Sequence, residues 1–530
     1  LSWMPHLEKM IEKYLVEGNP LKTFRLWLSS SPTTEFPISI LQRGIKMTTE
    51  PPKGLRSNLM TIFNTISEEQ FARCSLQFIY KKLLFALVWF HAILLERRKF
   101  KSLGFTVPYD FNESDFAICH DLIIVFLDEY PDKVPFEAMK YLIAEANYGG
   151  RVTDDWDRRL VNVYISELMN DDVINTDKFQ LSELPEYFIP EDGDLKFYKE
   201  TIRGFPSSDH PLAFGQHSNS DMTASIDDAT NMLDVLTSLQ AREVVAEDED
   251  AVNPLAAQCQ DLLEKTAFPF NKRDTKEKLE HRSDPDPLKT VLYQELDRYN
   301  SLLGRLRNNL STIVKITMGT ASTNPELEEV MVALGVLRVP RTWGKTYPSI
   351  KPLGSWIVDL QLRVDFYTAW IDTAMPVCWW LPALTYPTGF LTAILQVAAR
   401  MNGVSIDGLS FETPVLTSSD RTSLQGYPKD GVYIDGIYLE GACWNFAGSF
   451  LEESRPMELL SDMPIIHFKP AEGKKKTTKG MYTCPLYMYP VRSGTRERPS
   501  FVYSIDIRGG RFSSDFWAKR AVALLLSTAA

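Results

Sequence analysis

Between Pro287 and Met318, apolar side chains recur in steps of three and four: Leu288, Val291, Leu292, Leu296, Tyr299, Leu303, Leu306, Leu310, Ile313 and Val314. That period gives a single helix, roughly 45 Å long, with one continuous apolar face. A helix of that length needs a core along all of it. The stripe is wider than a two-position coiled-coil seam and Gly304 interrupts it, so it is expected to pack within its own domain. With 530 residues and 44% hydrophobic content, the polypeptide can fill two or three cores.

The helical period dominates the first two thirds of the sequence. Leu7, Met10, Ile11 and Tyr14 share one helical face between Pro5 and Tyr14. Phe24 to Leu28 is an aromatic-rich run ended by Ser29-Ser30-Ser31-Pro32, which reads as a buried strand and a loop beside that helix. A short helical turn, a second strand and the Glu50-Pro51-Pro52 break follow. Five helices are then expected: Leu55 to Phe63, Phe71 to Arg97, Ser114 to Tyr130, Pro135 to Ala146, and Asp154 to Leu168. Asn112 and Thr153-Asp154-Asp155 carry helix-start chemistry, and Gly149-Gly150 supplies a turn. The run Leu83 to Leu95, broken by His91 and flanked by charge, is shorter than the roughly 18–20 residues of a membrane span and reads as a buried core helix.

From Asn170 to Thr201 the pattern becomes irregular, and a domain boundary is expected there. A polar stretch from His210 to Asp221 leads into a helix over Ala224 to Ala241. The acidic run Glu243 to Asp250 reads as a solvated loop. After Thr346, helices over Leu353 to Trp370 and Gly389 to Met401 alternate with six short runs rich in β-branched and aromatic residues. These are Val377 to Leu381, Ser410 to Leu416, Val432 to Glu440, Pro464 to Lys469, Tyr482 to Tyr487 and Phe501 to Ile507. Six such strands suit a small antiparallel barrel or sandwich. Lys474, Lys475, Lys476 and Lys479 fall in the loop between two of them and read as a hairpin tip.

Composition narrows function by exclusion. A net charge of −12 argues against a phosphate-backbone partner, so no nucleic acid is expected, nor a membrane. The six cysteines, Cys74, Cys119, Cys259, Cys378, Cys443 and Cys484, stand singly without a CxxC pair and read as reduced intracellular thiols. Leu1-Ser2-Trp3-Met4 shows no initiator Met and no secretory signal, which reads as a piece of something larger.

Catalytic chemistry finds no candidate. Gly344-Lys345-Thr346 is the one string like a phosphate loop, but Val339 stands where its first glycine belongs. Asp154, Asp155 and Asp157, followed by Arg158 and Arg159 at ion-pair spacing, read as a structural complement to a helix dipole. His6, His91, His120, His210, His217, His281 and His467 form no HExxH, and there is no GxSxG elbow. No catalytic, cofactor-binding or metal residue is therefore expected in this segment.

Several long strings, in contrast, are specific. They are Glu96 to Tyr109, NYGGRVTDDWDRR over Asn147 to Arg159, YPSIKPLGSW over Tyr347 to Trp356, DGVYIDGIYLEGACW over Asp430 to Trp444, and Met463-Pro464-Ile465. Together with the run Phe24 to Arg56, these strings resemble dynein heavy chains, and Ser405-Ile406-Asp407 to Phe411 resembles the ciliary (axonemal) members. The Cys378-Trp379-Trp380 run and the Glu243 to Asp250 insertion depart from the pattern.

The resemblance implies a mainly helical α+β protein. Residues 1–50 would be the end of the sixth AAA+ large subdomain, 51–170 its helical lid, 171–345 the helical half of a C-terminal domain, and 346–530 its antiparallel β-barrel half. In that family the sixth module is structural, and the Ser29 to Ser31 loop lies where a sensor group would stand. The implied role is a non-catalytic coupling part of an ATP-driven, minus-end-directed microtubule motor for ciliary motility. The second reading is a docking module for accessory chains, through the barrel or the Lys474 loop. ATP and magnesium belong to the parent chain, which resembles a microtubule-motor ATPase. Implied partners are the other AAA+ modules of the same heavy chain, dynein intermediate and light chains, and microtubules through the parent chain. The implied places are cytoplasm, cytoskeleton and cilium axoneme.

Overall fold

The computed structural model describes residues 3–16, 18, 23–30, 33, 36–48, 51–239, 254–347, 349, 351–473, 479–494 and 499–526. The protein divides into two compact units, Leu1–Lys53 and Gly54–Ala530. In the first, helix Met4–Val16 is followed by an extended segment and helix Ile38–Arg43. Tyr14 stacks on Phe24 with ring centroids 6.2 Å apart, so the helix and the aromatic run meet as expected. The run itself is not a buried strand. Phe24 to Leu28 forms no strand ladder among the described residues, and Trp27 is 80% exposed. The second strand expected after Ile38–Arg43 is likewise absent among them: Ile45 and Met47 stand exposed. Strands need neighbours to satisfy their backbone groups, and the described part of this unit supplies none.

Among its described residues the second unit holds two large hydrophobic cores. The first runs from Leu55 to Phe214. Its axis is helix Gln77–Glu96, in which Leu83 to Leu94 are buried on every side, as expected for an apolar run hidden in a protein core. Around it lie helices Leu55–Thr65, Glu113–Glu129 and Asp155–Leu168, plus Phe136–Lys140 continuing as the π-helix Tyr141–Tyr148. Asn112 and Asp115 close a reciprocal capping box at the start of Glu113–Glu129. The irregular stretch after Asn170 belongs to this core rather than dividing it. Leu181, Tyr187, Ile189, Tyr198, Ile202 and Phe205 are all buried there, so the core crosses the expected division at residue 170.

The second core runs from Cys259 to Leu526 and is organised by helix Asp286–Thr317. Its stripe lies inward as the spacing requires, from Leu288 to Ile313, while a methyl group at Gly304 would meet open space. Helices Leu353–Asp372 and Pro387–Asn402 flank it. The described residues hold eleven short strands here: β1 (Cys378–Trp380), β2 (Leu409–Glu412), β3 (Val432–Asp435), β4 (Tyr438–Glu440), β5 (Cys443–Asn445), β6 (Phe450–Glu452), β7 (Leu460–Asp462), β8 (Ile466–Glu472), β9 (Met481–Tyr487), β10 (Phe501–Arg508) and β11 (Ala523–Leu525). Each of the six expected runs contains at least part of one of them.

Their pairing differs from the expected antiparallel barrel. Three open sheets form, in the orders β1-β3-β8-β2, β10-β9-β11-β4-β7 and β5-β6. β1 pairs parallel to β3, with Trp379 opposite Ile434, and β11 pairs parallel to β9, with Leu524 opposite Leu486. Both parallel strands arrive beside helices, β1 after Leu353–Asp372 and β11 after helix Ser514–Lys519, so the backbone re-enters a sheet instead of turning back by a hairpin. The run Cys378-Trp379-Trp380 is core material: Trp379 lies 4.7 Å from Trp370 and 4.5 Å from Phe390 between ring centroids. Glu243 to Asp250 and Lys474 to Lys476 lie outside the described residues, and Lys479 is an exposed turn residue.

Candidate functional site

Where the two cores of the second unit meet, a line of buried and half-buried polar residues ties one to the other. Helix Asp155–Leu168 and the segment 103–109 come from the first core; β9, the segment 491–494 and helix Ser514–Lys519 come from the second. Tyr487, Ala523 and Leu525 form a small apolar cluster at the join, with Trp156, Tyr438 and Leu460 against it.

Arg97 is the centre of the seam. It caps the C-terminus of the core helix, is fully buried, and places every N–H of its guanidinium on an oxygen. Nε donates to the Gly104 carbonyl at 2.8 Å, Nη1 to Tyr164 Oη at 2.5 Å and the Phe214 carbonyl at 3.0 Å, and Nη2 to the carbonyls of Leu103 at 3.3 Å and Lys519 at 2.6 Å. Burial lowers its pKa, opposed by the Tyr164 and Asp157 oxygens. A cation held by five oxygens drawn from four separate segments fixes those segments relative to one another.

Further residues cross the seam. Arg159 donates from Nη1 to the Thr483 carbonyl and from Nη2 to Tyr482 Oη, both at 2.9 Å, and its guanidinium lies over the rings of Trp156 and Tyr482. Lys519 pairs with Glu167 at 2.8 Å and Arg520 with Glu183 at 3.4 Å, while Glu453 on Arg520's own side holds that guanidinium at 2.8 Å. Asn219 donates to the carbonyls of Arg455 and Glu458 at 2.8 and 2.9 Å and accepts from the Met457 amide at 3.0 Å.

The acidic cluster expected to serve a helix start does so, with a division of labour that spacing did not reveal. Asp154 caps the helix, accepting from the amides of Trp156 and Asp157 at 2.9 and 3.1 Å. Asp155 is exposed. Asp157 turns inward, accepting from the amides of Thr106 and Val107 and from Tyr109 Oη at 2.9, 3.1 and 2.9 Å, and burial pushes its pKa up to about 6. Arg158 and Arg159 do not pair with these aspartates. Arg158 reaches Glu145 at 3.2 Å, and Arg159 spans the seam.

The other residues considered for chemistry, where described, occupy these places in the fold. Gly344 closes the four-residue helix Arg341–Gly344 beside buried Trp343, instead of opening a helix after a strand. Ser29 and Ser30 are exposed; Ser31 lies outside the described residues. His91 contacts Tyr148 Oη at 2.8 Å, with its pKa lowered to about 4 by burial, and His120 contacts Tyr80 Oη at 2.6 Å. His210 and His217 each accept one backbone amide two residues on. The six cysteines are buried and unpaired with one another. Among the described residues no group of three or more His, Cys, Asp or Glu gathers at metal-binding distance. A cleft of about 1560 Å³ opens among the sheets, lined in part by Phe411, Trp444, Phe450, Tyr503 and Asp506, with Lys479 at its edge.

A mainly helical lid-like core clasped to a domain of helices and short sheets has known counterparts. Residues 226–526 match the C-terminal domain of the dynein heavy chain, residues 80–220 the dynein heavy chain AAA lid domain, and residues 1–48 the dynein heavy chain region D6 P-loop domain. The protein belongs to the dynein heavy chains. It is 47% identical over its whole length to the Dynein-1-beta heavy chain of the flagellar inner arm I1 complex from Chlamydomonas reinhardtii. It is 48% identical over 99% of its length to Dynein axonemal heavy chain 2 of Mus musculus and of Homo sapiens. It spans 12% of the length of each of these relatives. The matched lid and C-terminal regions adjoin near residue 220, beside Asn219 and past the first core's end at Phe214.

Proposed function

We propose that this segment is a non-catalytic coupling element of an axonemal dynein heavy chain, an ATP-driven, minus-end-directed microtubule motor of cilia. The observation that carries the reading is the seam: Arg97, Arg159, Lys519, Arg520 and Asn219 bind the lid core to the C-terminal domain through hydrogen bonds and ion pairs. A rearrangement of the lid would then reach the C-terminal domain as a rigid-body shift. ATP and magnesium act elsewhere in the heavy chain, and the partners are its other AAA+ modules, its intermediate and light chains, and the microtubule it walks on. The place of action is the axoneme. In the full-length heavy chain, Arg159→Ala combined with Arg520→Ala is expected to slow microtubule gliding more than ATP turnover. Gliding and turnover both unchanged would defeat the coupling role.

Docking of accessory chains is the second reading, favoured by the cleft beside Lys479. Deleting residues 473–480 from the heavy chain and finding every accessory chain still bound would count against it.

A further inference from the structure

The cleft among the sheets lies where the expected barrel does not close. β2 is the last strand of one sheet and β10 of another, so each presents a row of backbone groups with no strand beside it among the described residues. Both line the cleft, and they do not pair. The Phe411 amide on β2, which a neighbouring strand would satisfy, donates instead to Tyr503 Oη on β10 at 3.2 Å, so a side chain spans the gap.

The lining says what would fill that gap. Its walls are aromatic: Phe411 lies 5.6 Å from Tyr503 between ring centroids, and Phe450 and Trp444 line the same cleft. Trp444 is 5% exposed, and its indole N–H has no acceptor among the described residues. The charges are unevenly engaged. Glu453 is held by Arg520 at 2.8 Å, Glu452 accepts from Asn445 at 2.8 Å, and Asp506 accepts from the Thr483 hydroxyl at 2.6 Å. Lys479 and Arg508 are exposed on the cleft and hold no hydrogen bond or ion pair among the described residues, and Arg511 reaches Glu453 only at 3.8 Å. Bare strand edges take an extended peptide by main-chain hydrogen bonds, aromatic walls take its apolar side chains, and free cations take its carboxylates.

We propose that the cleft binds an extended acidic segment of an accessory chain, laid as an added strand between β2 and β10 with its carboxylates toward Lys479 and Arg508. This rests on the docking reading above and gives the docked partner its chemistry: apolar residues in alternation over Phe411 and Phe450, then acids. The incoming strand replaces Tyr503 as acceptor for the Phe411 amide, and the Trp444 indole gains an acceptor.

The test uses the full-length heavy chain and its variant carrying Lys479→Glu and Arg508→Glu, both exposed positions. The probe is a short fluorescein-labelled peptide of alternating valine and tyrosine ended by glutamates, read by fluorescence anisotropy. The double variant is expected to bind it about tenfold more weakly, and methylation of alternate backbone nitrogens in the peptide is expected to abolish binding. No binding to the unaltered heavy chain, equal binding by the double variant, or equal binding of the methylated peptide would each overturn the proposal. Subunit composition of the purified complex separates the strand from the docking reading beneath it. An accessory chain is expected to be missing from the double variant. An accessory chain lost on deleting residues 473–480 but kept by the double variant would overturn the acidic strand and leave docking standing, whereas every accessory chain kept in both would defeat docking and the strand with it. A fall in microtubule affinity with all accessory chains retained would put the acidic partner on the microtubule and overturn the assignment.

Discussion

Two buried polar clusters in this protein are assembled on opposite plans. Inside the second core, Glu295 is 1% exposed and is met largely by charge and by one neighbouring loop: Arg298 one turn away at 2.8 Å, the Thr385 amide and hydroxyl at 2.9 and 2.6 Å, and the Tyr386 amide at 3.1 Å. Nearby, Arg363 pairs with Asp359 four residues before it at 2.7 Å. At the seam, Arg97 has no carboxylate partner among its five hydrogen bonds, and its farthest acceptor, Lys519, is 422 residues away. The first plan stiffens one body. The second works only when both bodies are formed and correctly placed, because backbone carbonyls are positioned by the folds that carry them. The seam is thus a brace whose strength depends on alignment, as a transmitting joint requires.

The largest effect that separates the plans is expected from Arg97→Met. Removing the guanidinium takes five hydrogen bonds away and leaves the buried Gly104 and Lys519 carbonyls without that donor, while Tyr164 still donates to the Phe214 carbonyl and Gln216 to the Leu103 carbonyl; the loss should cost about 3–5 kcal/mol in all. Urea unfolding of the heavy-chain segment should show both cores destabilised together. Arg363→Met should cost a similar amount but loosen hydrogen exchange chiefly in the second core. If both variants perturb the same residues, the contrast between brace and internal strut fails.

The pH dependence of Asp157 comes next. Its folded pKa of about 6 lies above the unfolded carboxylate value, so the native state retains its proton over a range where the unfolded protein has released it. Stability from this group is therefore fully present below the unfolded pKa, near 4, and is lost as pH rises through about 6, by about 3 kcal/mol at most. Asp157→Asn should flatten that slope in denaturant midpoints recorded between pH 4 and 7. A slope unchanged by the substitution would place the proton elsewhere.

Asn219→Ala tests the seam's far end. It removes two donated bonds and one accepted bond to residues 455–458, and about 2 kcal/mol should be lost, with the Met457 amide exchanging faster than its surroundings. The site was legible only as a polar stretch, His210 to Asp221, since nothing in an asparagine's neighbours announces carbonyl partners 236 and 239 residues ahead. Arg97 was hidden for the same reason. It reads as one basic residue among Arg98 and Lys99, and four of its five acceptors are main-chain atoms with no side-chain signature.

Periodicity, by contrast, carried the helices well. Leu288 to Ile313 face inward as spaced, because burial of a long stripe selects the register by itself. Strand runs were visible, yet their partners were not: alternation in Val432 to Glu440 gives no hint that β1 and β11 arrive in parallel. Phe24 to Leu28 shows the limit from the other side. Its composition is that of a buried strand, and without a neighbouring strand among the described residues it stays exposed.

The smallest and most selective expected effect is at Arg159. Lysine there keeps the charge and can still reach one oxygen, but it cannot hold the Thr483 carbonyl and Tyr482 Oη with a planar fork while lying across Trp156 and Tyr482. Arg159→Lys should cost about 1 kcal/mol in stability. Its decisive readout is not that loss but where it appears. If the seam transmits motion, hydrogen exchange should rise at Thr483 and along helix Asp155–Leu168 together, with helix Asp286–Thr317 unaffected. A rise confined to one side would mean that the two cores touch at Arg159 without being coupled through it, leaving Arg97 to carry the joint.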